Sequence, residues 1–245
     1  MTKRRILKLS GPDARAFLQG LITNDVEEIE NGLVYAAILT PQGKYIADFF
    51  LSKHGQDILL DIAETHADAV QTRLMMYKLR ADVAISNSGL HLHRGLGPTP
   101  KDAHRDPRHP DLGWRAYREG AQTDDKVDWT ALRVTHQIPE TGIELTPESF
   151  ILEVGFERLS GVDFRKGCYV GQEVTARMKH KTELRKGLAR VSVDGAADPG
   201  DPITKDDKPV GTLLSRSGNE ALAYLRFDRA SGPLNAGNAT VHKID

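Results

Sequence analysis

The amino-acid sequence predicts an α+β protein in which antiparallel sheets are combined with a few helices and followed by a small β-barrel. Two observations lead to this prediction. In the first 94 residues, strand-like alternation and short hairpin turns surround two segments with the apolar spacing of helices. After about residue 185 only short strands remain, separated by turns rich in Pro, Gly and Asp, which is typical of a small barrel or sandwich. We therefore expect a body at 1–184, built of two interleaved subdomains, and a barrel at 185–245.

The first half of the chain alternates strands and helices. The patterns fall, in chain order, at 6–9 (strand), 12–20 (helix), 33–40, 45–52 and 58–62 (strands), 65–79 (helix), and 82–86 and 90–94 (strands). A Pro-Gln-Gly-Lys sequence at 41–44 predicts the hairpin turn between the second and third strands. The second helix has an apolar stripe that we expect to be buried, consisting of Ala67, Val70, Leu74 and Tyr77.

The second half contains a segment without periodicity and then the barrel strands. Residues 95–112 include four prolines and predict a long loop, either mobile or functional. A short helix is predicted at 129–136, with Asp128 as its N-cap. The barrel strands are predicted at 188–193, 210–215, 221–227 and 239–244.

Composition and charge limit the classes of function. The chain has 245 residues, 39% of them hydrophobic, which is enough to bury a core at this size. Lys and Arg number 33 against 34 Asp and Glu, so the net charge of −1 produces no global field that would recruit nucleic acid or an anionic membrane. No apolar run approaches the ~20 residues of a membrane span. We expect a soluble protein of a reducing compartment, which is the cytoplasm or, in a eukaryote, the mitochondrial matrix.

The single cysteine, Cys168, excludes an intramolecular disulfide and CxxC chemistry. An iron–sulfur cluster normally takes four ligands, mostly thiolates, so this chain cannot enclose one by itself. Arg165 and Lys166 precede the cysteine, and cations near a thiol favour the thiolate, the form that acts as nucleophile or metal ligand. Gly167 and Gly171 bracket it and permit tight turns or close approach of a ligand. A helix beginning near Gly171 would add a positive dipole end. The alternative is that Cys168 is a small, buried hydrophobic residue.

The residues around this cysteine, KGCYVGQE at 166–173, resemble the signature of the YgfZ-type folate-binding proteins. These proteins are relatives of the T-protein (aminomethyltransferase) of the glycine cleavage system and include mitochondrial iron–sulfur assembly factors. Other stretches agree in order and spacing, namely FLQG at 17–20, TNDV at 23–26, TPQGK at 40–44 and Ile138-Pro139. The resemblance extends over nearly the whole chain and is weakest in the barrel.

The resemblance implies a fold, a cofactor and a role. The fold would be a T-protein-like α+β body with a central folate channel, followed by the barrel. The cofactor would be tetrahydrofolate or a one-carbon derivative. The role would be assembly or repair of iron–sulfur clusters, with iron–sulfur enzymes, including tRNA methylthiotransferases, or scaffold proteins as partners. The signature would supply Cys168 and Lys166 as catalytic residues and Tyr169, Gln172 and Glu173 as cofactor-binding residues.

Two stretches depart from the family's pattern. T-proteins carry paired acidic residues after the first hairpin, whereas Ile46-Ala47-Asp48 keeps one of them. Asp48 is therefore a third candidate catalytic residue, and its alternative is a solvated strand residue. Thr135 stands where the family has a glutamate near the pterin, so that Thr135 or His136 would have to form the hydrogen bond in its place.

Further candidates lie outside the signature. Trp129 could stack on a pterin and Arg133 begins the stretch that matches the family's pterin-contacting segment, although a core role for Trp129 is equally open. Residues 165–186 hold seven Lys and Arg against two Glu, and they form either a solvated face or a funnel for a folate tail or tRNA phosphates. His91 and His93 share a strand face but have no third ligand at suitable spacing, so we predict no metal site.

Three functions are compatible with these residues. The leading one is a tetrahydrofolate-binding accessory protein for iron–sulfur cluster assembly or repair that acts through Cys168. The second is a folate-dependent aminomethyl or one-carbon transferase in which Asp48 positions the substrate amine. The third is an RNA-binding module associated with tRNA modification, which is less favoured because the clustered aromatic residues of single-strand binders are absent from the basic segment. For the leading function we expect no classical enzymatic turnover, and if the chain is an enzyme we expect the folate-dependent one-carbon transferase.

Overall fold

A computed structural model describes residues 3–123, 125–181 and 183–244 and divides them into two compact units. The body unit consists of the described residues of Thr2–Val127 and Glu157–Val174. The barrel unit consists of those of Asp128–Phe156 and Thr175–Asp245. The predicted boundary after residue 184 lies just before the first barrel strand. The two compact units, in contrast, each consist of segments that alternate along the chain.

The body unit is built on a five-stranded antiparallel sheet in the order β2-β3-β4-β1-β5. Its strands are β1 (Arg4–Ser10), β2 (Val34–Leu39), β3 (Tyr45–His54), β4 (Asp57–Ala63) and β5 (Ala84–Asn87). Helices α1 (Ala14–Gln19) and α2 (Glu64–Lys78) pack on one face, because alternate strand residues such as Ala36, Phe49 and Leu60 supply a continuous apolar surface there. The opposite face carries polar side chains and bears the candidate residue Asp48.

A second, three-stranded sheet in the order β6-β8-β7 completes the body unit. Its strands are β6 (His91–Gly95), β7 (His104–Arg105) and β8 (Trp114–Arg118). The prediction of a long loop at 95–112 is therefore wrong in part, since this segment contains β7 and a 3-10 helix at Pro110–Leu112. A two-residue strand between prolines has no periodicity to detect, and its position is set by pairing with β8.

The barrel unit contains a closed six-stranded barrel in the order β10-β11-β12-β9-β14-β13. The strands are β9 (Lys186–Asp194), β10 (Pro202–Lys205), β11 (Lys208–Ser217), β12 (Glu220–Arg226), β13 (Leu234–Ala236) and β14 (Ala239–Ile244). Helix α3 (Trp129–Thr135) belongs to this unit, and helix α4 (Gln172–Lys181) begins in the body unit.

The α+β fold class and the barrel are confirmed. The short strands β8, β10 and β13 were not predicted, because they lack marked alternation and are defined by pairing with neighbouring strands. In α2 the stripe of Ala67, Val70 and Leu74 is buried as predicted, but Tyr77 is exposed. No helix among the described residues is long and apolar enough to cross a membrane.

Candidate functional site

Cys168 lies on an irregular loop of the body unit, and its side chain is exposed. The alternative that it is a buried hydrophobic residue is therefore wrong. Arg165, three residues earlier, has a side chain that is 94% exposed and lies 3.7 Å from the Asp163 carboxylate. The loop thus presents a thiol and a nearby guanidinium to solvent.

Two glycines let this loop pack closely on the hairpin turn between β2 and β3. Gly171 has φ +86°, and a Cβ placed there would lie 2.6 Å from the Thr40 carbonyl oxygen. Gly43 in the turn has φ +75°, and its Cβ would lie 2.8 Å from Cβ of Val174. Both positions need glycine because a side chain would be strained and would collide. The TPQGK turn and the KGCYVGQE signature are therefore two sides of one contact.

Gly167, next to the cysteine, differs from these glycines. Its φ is not in the left-handed region, and a Cβ at this position would meet no atom within 4 Å. The local backbone at Gly167 therefore does not require glycine, and the close approach of a ligand there stays a prediction. Its small size instead leaves the space beside Cys168 open to an approaching molecule.

Lys166 anchors the loop from inside the body unit. The residue is only 7% exposed, and its Nζ donates to the carbonyl oxygens of Gln19 and Ile22, each at 2.7 Å. These carbonyls lie at and just beyond the C-terminal end of α1, where helix carbonyls lack intrahelical partners and a positive charge is favoured. The same Nζ lies 5.0 Å from the centroid of the Tyr169 ring. Lys166 is therefore a positioning residue for the cysteine loop.

Burial lowers the pKa of Lys166 to about 8, although the carboxylates of Asp25 and Asp163 act in the opposite direction. The lysine thus titrates close to physiological pH while it holds the loop.

The remaining signature residues begin helix α4. Tyr169 is buried, and its carbonyl oxygen accepts a hydrogen bond from the Gln172 backbone N–H at 3.2 Å. The helix begins at Gln172, as expected for a helix near Gly171. The Gln172 side chain is half-buried, and that of Glu173 is exposed in the first turn, where its charge favours the helix dipole.

Asp48 is buried on the polar face of the five-stranded sheet, so its interpretation as a solvated strand residue is wrong. Its two carboxylate oxygens accept hydrogen bonds from the Tyr35 hydroxyl at 3.0 Å and the Tyr45 hydroxyl at 2.7 Å. Burial, together with the nearby Asp48 charge, raises the pKa of Tyr35 well above its ordinary value, so this hydroxyl stays a donor.

A buried ion cluster occupies the same face, and the sequence analysis did not find it. Asp61 of β4 contacts Arg4 and Arg115, each at 2.6 Å, and Arg115 lies 3.5 Å from Asp106. Asp106 in turn forms a bidentate pair with Arg108, with N–O distances of 2.9 and 2.8 Å. The pattern available beforehand was an aspartate, Asp61, between the apolar residues of the strand sequence DILLDIA, at a position facing away from the helices.

The guanidinium groups of this cluster lie over an aromatic ring. Those of Arg108 and Arg115 are 4.7 and 4.0 Å from the centroid of the Phe50 ring. Phe50 pairs directly with Tyr35 on β2 and with Asp61 on β4, so one cross-strand row links the tyrosine near Asp48 to the ion cluster. The polar face is thus filled by side chains of the body unit that pair with one another, although the buried Nε of Arg115 has no hydrogen-bond partner among the described residues.

Trp129 and Arg133 lie in the barrel unit, on α3, whose Asp128 cap is confirmed by a bond from the Ala131 N–H at 2.9 Å. Trp129 is buried. The Arg133 guanidinium donates to the Ile138 carbonyl and to Ser215 Oγ of β11, each at 3.0 Å. It also pairs with the carboxylates of Glu140 and Glu144, at 3.2 and 3.3 Å. These contacts attach α3 to the barrel, and a folate contact by either residue stays a prediction.

Comparisons with known proteins concern the barrel, the family and the fold. The family described as the C-terminal beta-barrel domain of CAF17 matches residues 185–244. A Pyricularia oryzae protein named as a mitochondrial iron–sulfur cluster assembly factor IBA57 homolog is 31% identical over 93% of this chain and 71% of its own length. The protein of the same name from Mycosarcoma maydis is 30% identical over 84% of this chain, which spans 59% of that relative's length.

The chain belongs to the IBA57 family of iron–sulfur cluster assembly factors. The comparison with solved structures adds the fold. The glycine cleavage system aminomethyltransferase T from Bartonella henselae superposes on this IBA57-family chain with a TM-score of 0.79, covering 98% of this chain and 82% of that one. The two sequences are 12% identical, so the likeness establishes a T-protein-like fold and nothing about activity.

Proposed function

We propose that this IBA57-family factor assembles iron–sulfur clusters through the thiolate of Cys168 and that it binds tetrahydrofolate or a one-carbon derivative. The observation that carries the proposal is the contrast within the signature loop. Cys168 is exposed beside an open glycine position, while Lys166 fixes the same loop by a buried ammonium group. A rigidly held, accessible thiol is suited to reaction with a partner.

The single cysteine limits the mechanism to shared chemistry. Iron–sulfur clusters normally take four ligands, mostly thiolates, so a cluster or sulfur group at Cys168 needs ligands from another molecule. An iron–sulfur enzyme or a scaffold protein would supply them, or else a second copy or a small thiol. We propose that this exchange takes place where the relatives are named as residing, in mitochondria, if the source is eukaryotic.

The folate part of the proposal is tested by the fit of the predicted residues. Gln172 and Glu173 offer accessible polar groups, whereas the other predicted cofactor-binding residues (Trp129, Arg133 and Tyr169) are buried, as is the candidate catalytic residue Asp48. Binding through these buried groups would exchange contacts that the protein already makes. When bound, tetrahydrofolate would supply one-carbon chemistry, and the proposed role of the chain's own residues is to hold it.

The cysteine is tested in cells that lack the native chain. The variant Cys168→Ser should abolish restoration of iron–sulfur enzyme activity while glycine cleavage stays normal. A matched control is Cys168→Ser combined with Thr240→Cys, which keeps one thiol per chain on an exposed strand position of the barrel unit. This control should fail as Cys168→Ser does. Normal iron–sulfur enzyme activity with Cys168→Ser would overturn the cysteine mechanism, and lost glycine cleavage would favour the one-carbon transferase.

Folate binding is tested by calorimetric titration of the purified chain with tetrahydrofolate. We expect saturable binding that weakens in Gln172→Ala and is unchanged in Gln71→Ala, a half-buried glutamine on α2 that serves as the control. Absence of binding would remove the cofactor from the proposal and leave the cysteine mechanism standing. Tighter binding of a tRNA than of tetrahydrofolate would favour the RNA-binding alternative.

A further inference from the structure

The C-terminal end of α2 exposes an unusual concentration of apolar side chains. Seven large hydrophobic residues are exposed in the described part of the chain, and four of them lie within positions 75–79. We call these four residues the α2 patch: Met75, Met76, Tyr77 and Leu79. Met76 is 70% exposed and Leu79 is 88% exposed. Exposed apolar residues gathered in one place mark interaction sites more often than scattered ones do.

Leu79 is also in an unfavourable backbone conformation. It ends the helix with φ +46°, where L-residues are rare and where glycine or asparagine is the usual choice. A leucine that is strained and nearly fully exposed adds nothing to the stability of the body unit. Its side chain is therefore available to contact another molecule.

The surface of α2 next to this patch has the shape that receives another helix. A groove of about 420 Å³ is lined by Asp68, Thr72 and Met76 on one side and by Ala69, Arg73 and Tyr77 on the other. Each set is spaced by four residues, so the groove runs between two adjacent i+4 ridges of one helix. Grooves of this kind accept a ridge of side chains from a packed helix. Methionine at the groove adapts its shape to a partner's side chains.

Charge identifies the partner's chemistry. Arg73, Lys78 and Arg80 flank the patch, and none of them has a carboxylate within 4 Å among the residues the structure describes. In the part of the chain that the structure describes, Arg73 makes one side-chain hydrogen bond, to the Tyr77 hydroxyl at 3.5 Å. Asp68, the acidic residue of the groove, is already paired with Arg5 at the other end of α2. The open end of the groove is therefore apolar and cationic.

From this arrangement we propose that the α2 patch is a docking site for an amphipathic helix of a partner protein, whose apolar ridge enters the groove and whose carboxylates meet Arg73, Lys78 and Arg80. This is the helix-in-groove mode of recognition. The site uses no residue of the cysteine loop, so it adds a second point of contact to the proposed function.

The test uses a synthetic helical peptide with leucines at i, i+3, i+4 and i+7 and glutamates beside them, titrated into the full chain by fluorescence anisotropy. We expect saturable binding that weakens with added salt and becomes at least about tenfold weaker in Met76→Glu. A peptide with lysines in place of the glutamates should not bind. Leu96→Glu replaces another exposed apolar residue, which lies outside α2, and should bind like the wild type.

Leu79→Gly separates binding from folding. Glycine relieves the positive φ, so the urea midpoint should stay the same or rise while peptide affinity falls. Cys168→Ser should bind the peptide normally, because the docking site uses no residue of the cysteine loop. Failure of the cysteine mechanism can therefore be distinguished from failure of docking.

Four results would overturn the proposal. They are equal binding by wild type and Met76→Glu, equal binding of the lysine peptide, sedimentation of the chain with phosphatidylserine vesicles in place of peptide binding, and a dimer in sedimentation velocity that Met76→Glu converts to monomer.

Discussion

At the residue scale, the buried side chain of Lys166 holds a loop on which the side chain of Cys168 is exposed to solvent. Lys166 places its ammonium group among backbone carbonyls at the end of α1, two residues before an exposed thiol. The sequence analysis paired Lys166 with the cysteine as a charge that favours the thiolate. The structure instead gives it carbonyl partners in the interior, so its effect on the cysteine acts through the position of the loop.

The depressed pKa of Lys166 predicts a pH dependence of stability. In the unfolded chain this lysine keeps its proton up to about pH 10.4, whereas in the folded protein it loses it near pH 8. The unfolded state binds more protons between these values, so stability should rise with pH there. Relative to Lys166→Met, the wild type should gain about 2 kcal/mol between pH 8 and pH 10 in urea unfolding. The control is Lys179→Met, which replaces an exposed lysine. If the wild type gained as much stability relative to Lys179→Met as it does relative to Lys166→Met, the pH dependence could not be assigned to Lys166.

The two glycines of the cysteine loop predict opposite tolerance to alanine. Gly171→Ala should lower the free energy of unfolding by about 2 kcal/mol or more, because of its positive φ and the collision with the Thr40 carbonyl. Gly167→Ala should stay within about 0.5 kcal/mol of wild type. Urea unfolding of both variants measures this. Loss of iron–sulfur enzyme restoration in a stable Gly167→Ala would show that the space beside Cys168 is used by a bound molecule.

At the element scale, the five-stranded sheet has two faces of different chemistry. One face packs α1 and α2 through aliphatic residues, and the other holds the carboxylates of Asp48 and Asp61 with their hydroxyl and guanidinium partners. The same strands therefore contribute both to the apolar core and to a polar network. In such a network each group depends on its partner, because an unpaired buried charge is costly.

Of the two carboxylates, we expect the loss of Asp61 to lower the free energy of unfolding most. Burial opposes its charge, but Arg4 and Arg115 hold the pKa of its carboxyl at about 2. Asp61→Asn should destabilise the protein by about 3–5 kcal/mol at pH 7. The control Asp57→Asn removes a carboxylate of the same strand that lies 3.7 Å from Lys8 and is partly exposed, and it should cost less than about 1 kcal/mol. Urea unfolding gives both values, and equal losses would refute the special role of Asp61.

Acid titration checks the same residue independently. The folded pKa lies below the unfolded value of about 3.9, so the contribution of Asp61 is present above pH 4 and disappears as the pH falls towards 2. The wild type should lose about 2 kcal/mol of stability from this group across that interval. In Asp61→Asn this part of the loss should be missing.

At the scale of the whole molecule, a nearly neutral chain carries a local excess of positive charge along the segment that contains its cysteine. The net charge is −1, yet residues 165–186 hold seven Lys and Arg against two Glu. Several of these cations are exposed, among them Arg165, Arg177 and Lys179. Because Arg165 of the same unit is exposed three residues before Cys168, an anionic reagent approaching this thiol should be attracted, although the molecule as a whole attracts no anion.

Alkylation of Cys168 measures this attraction. The ratio of the iodoacetate rate to the iodoacetamide rate should fall as salt rises from about 0.01 M to about 1 M, since the Debye length shrinks from about 30 Å to about 3 Å. The neutral reagent serves as the internal control for changes in loop structure. Arg165→Gln should lower the ratio at low salt. A ratio that does not change with salt would show that the basic segment does not act on the thiol.

Much of the fold followed from local patterns. Alternation and hairpin turns located β1–β4. The apolar stripe located α2, and the N-cap Asp128 located α3. The short strands β7, β8, β10 and β13 were missed, because strands of two to five residues are defined by their pairing partners. At the site, the motif identified Cys168 and a helix start near Gly171, but local pattern carried no information on what surrounds Asp48.

The sequence by itself determined the α+β class, the C-terminal barrel and the position of the one thiol, because these depend on periodicity, turn residues and composition. Only the tertiary structure decided that Lys166 faces inward, that Asp48 is buried under two tyrosine hydroxyls, and that Tyr77 is exposed. The physical reason is separation along the chain. Asp61 meets its guanidinium partners across 57 and 54 residues, and such contacts are set by how sheets and helices pack. The lone cysteine was therefore visible in the sequence, whereas the buried lysine that positions its loop was visible only in the fold.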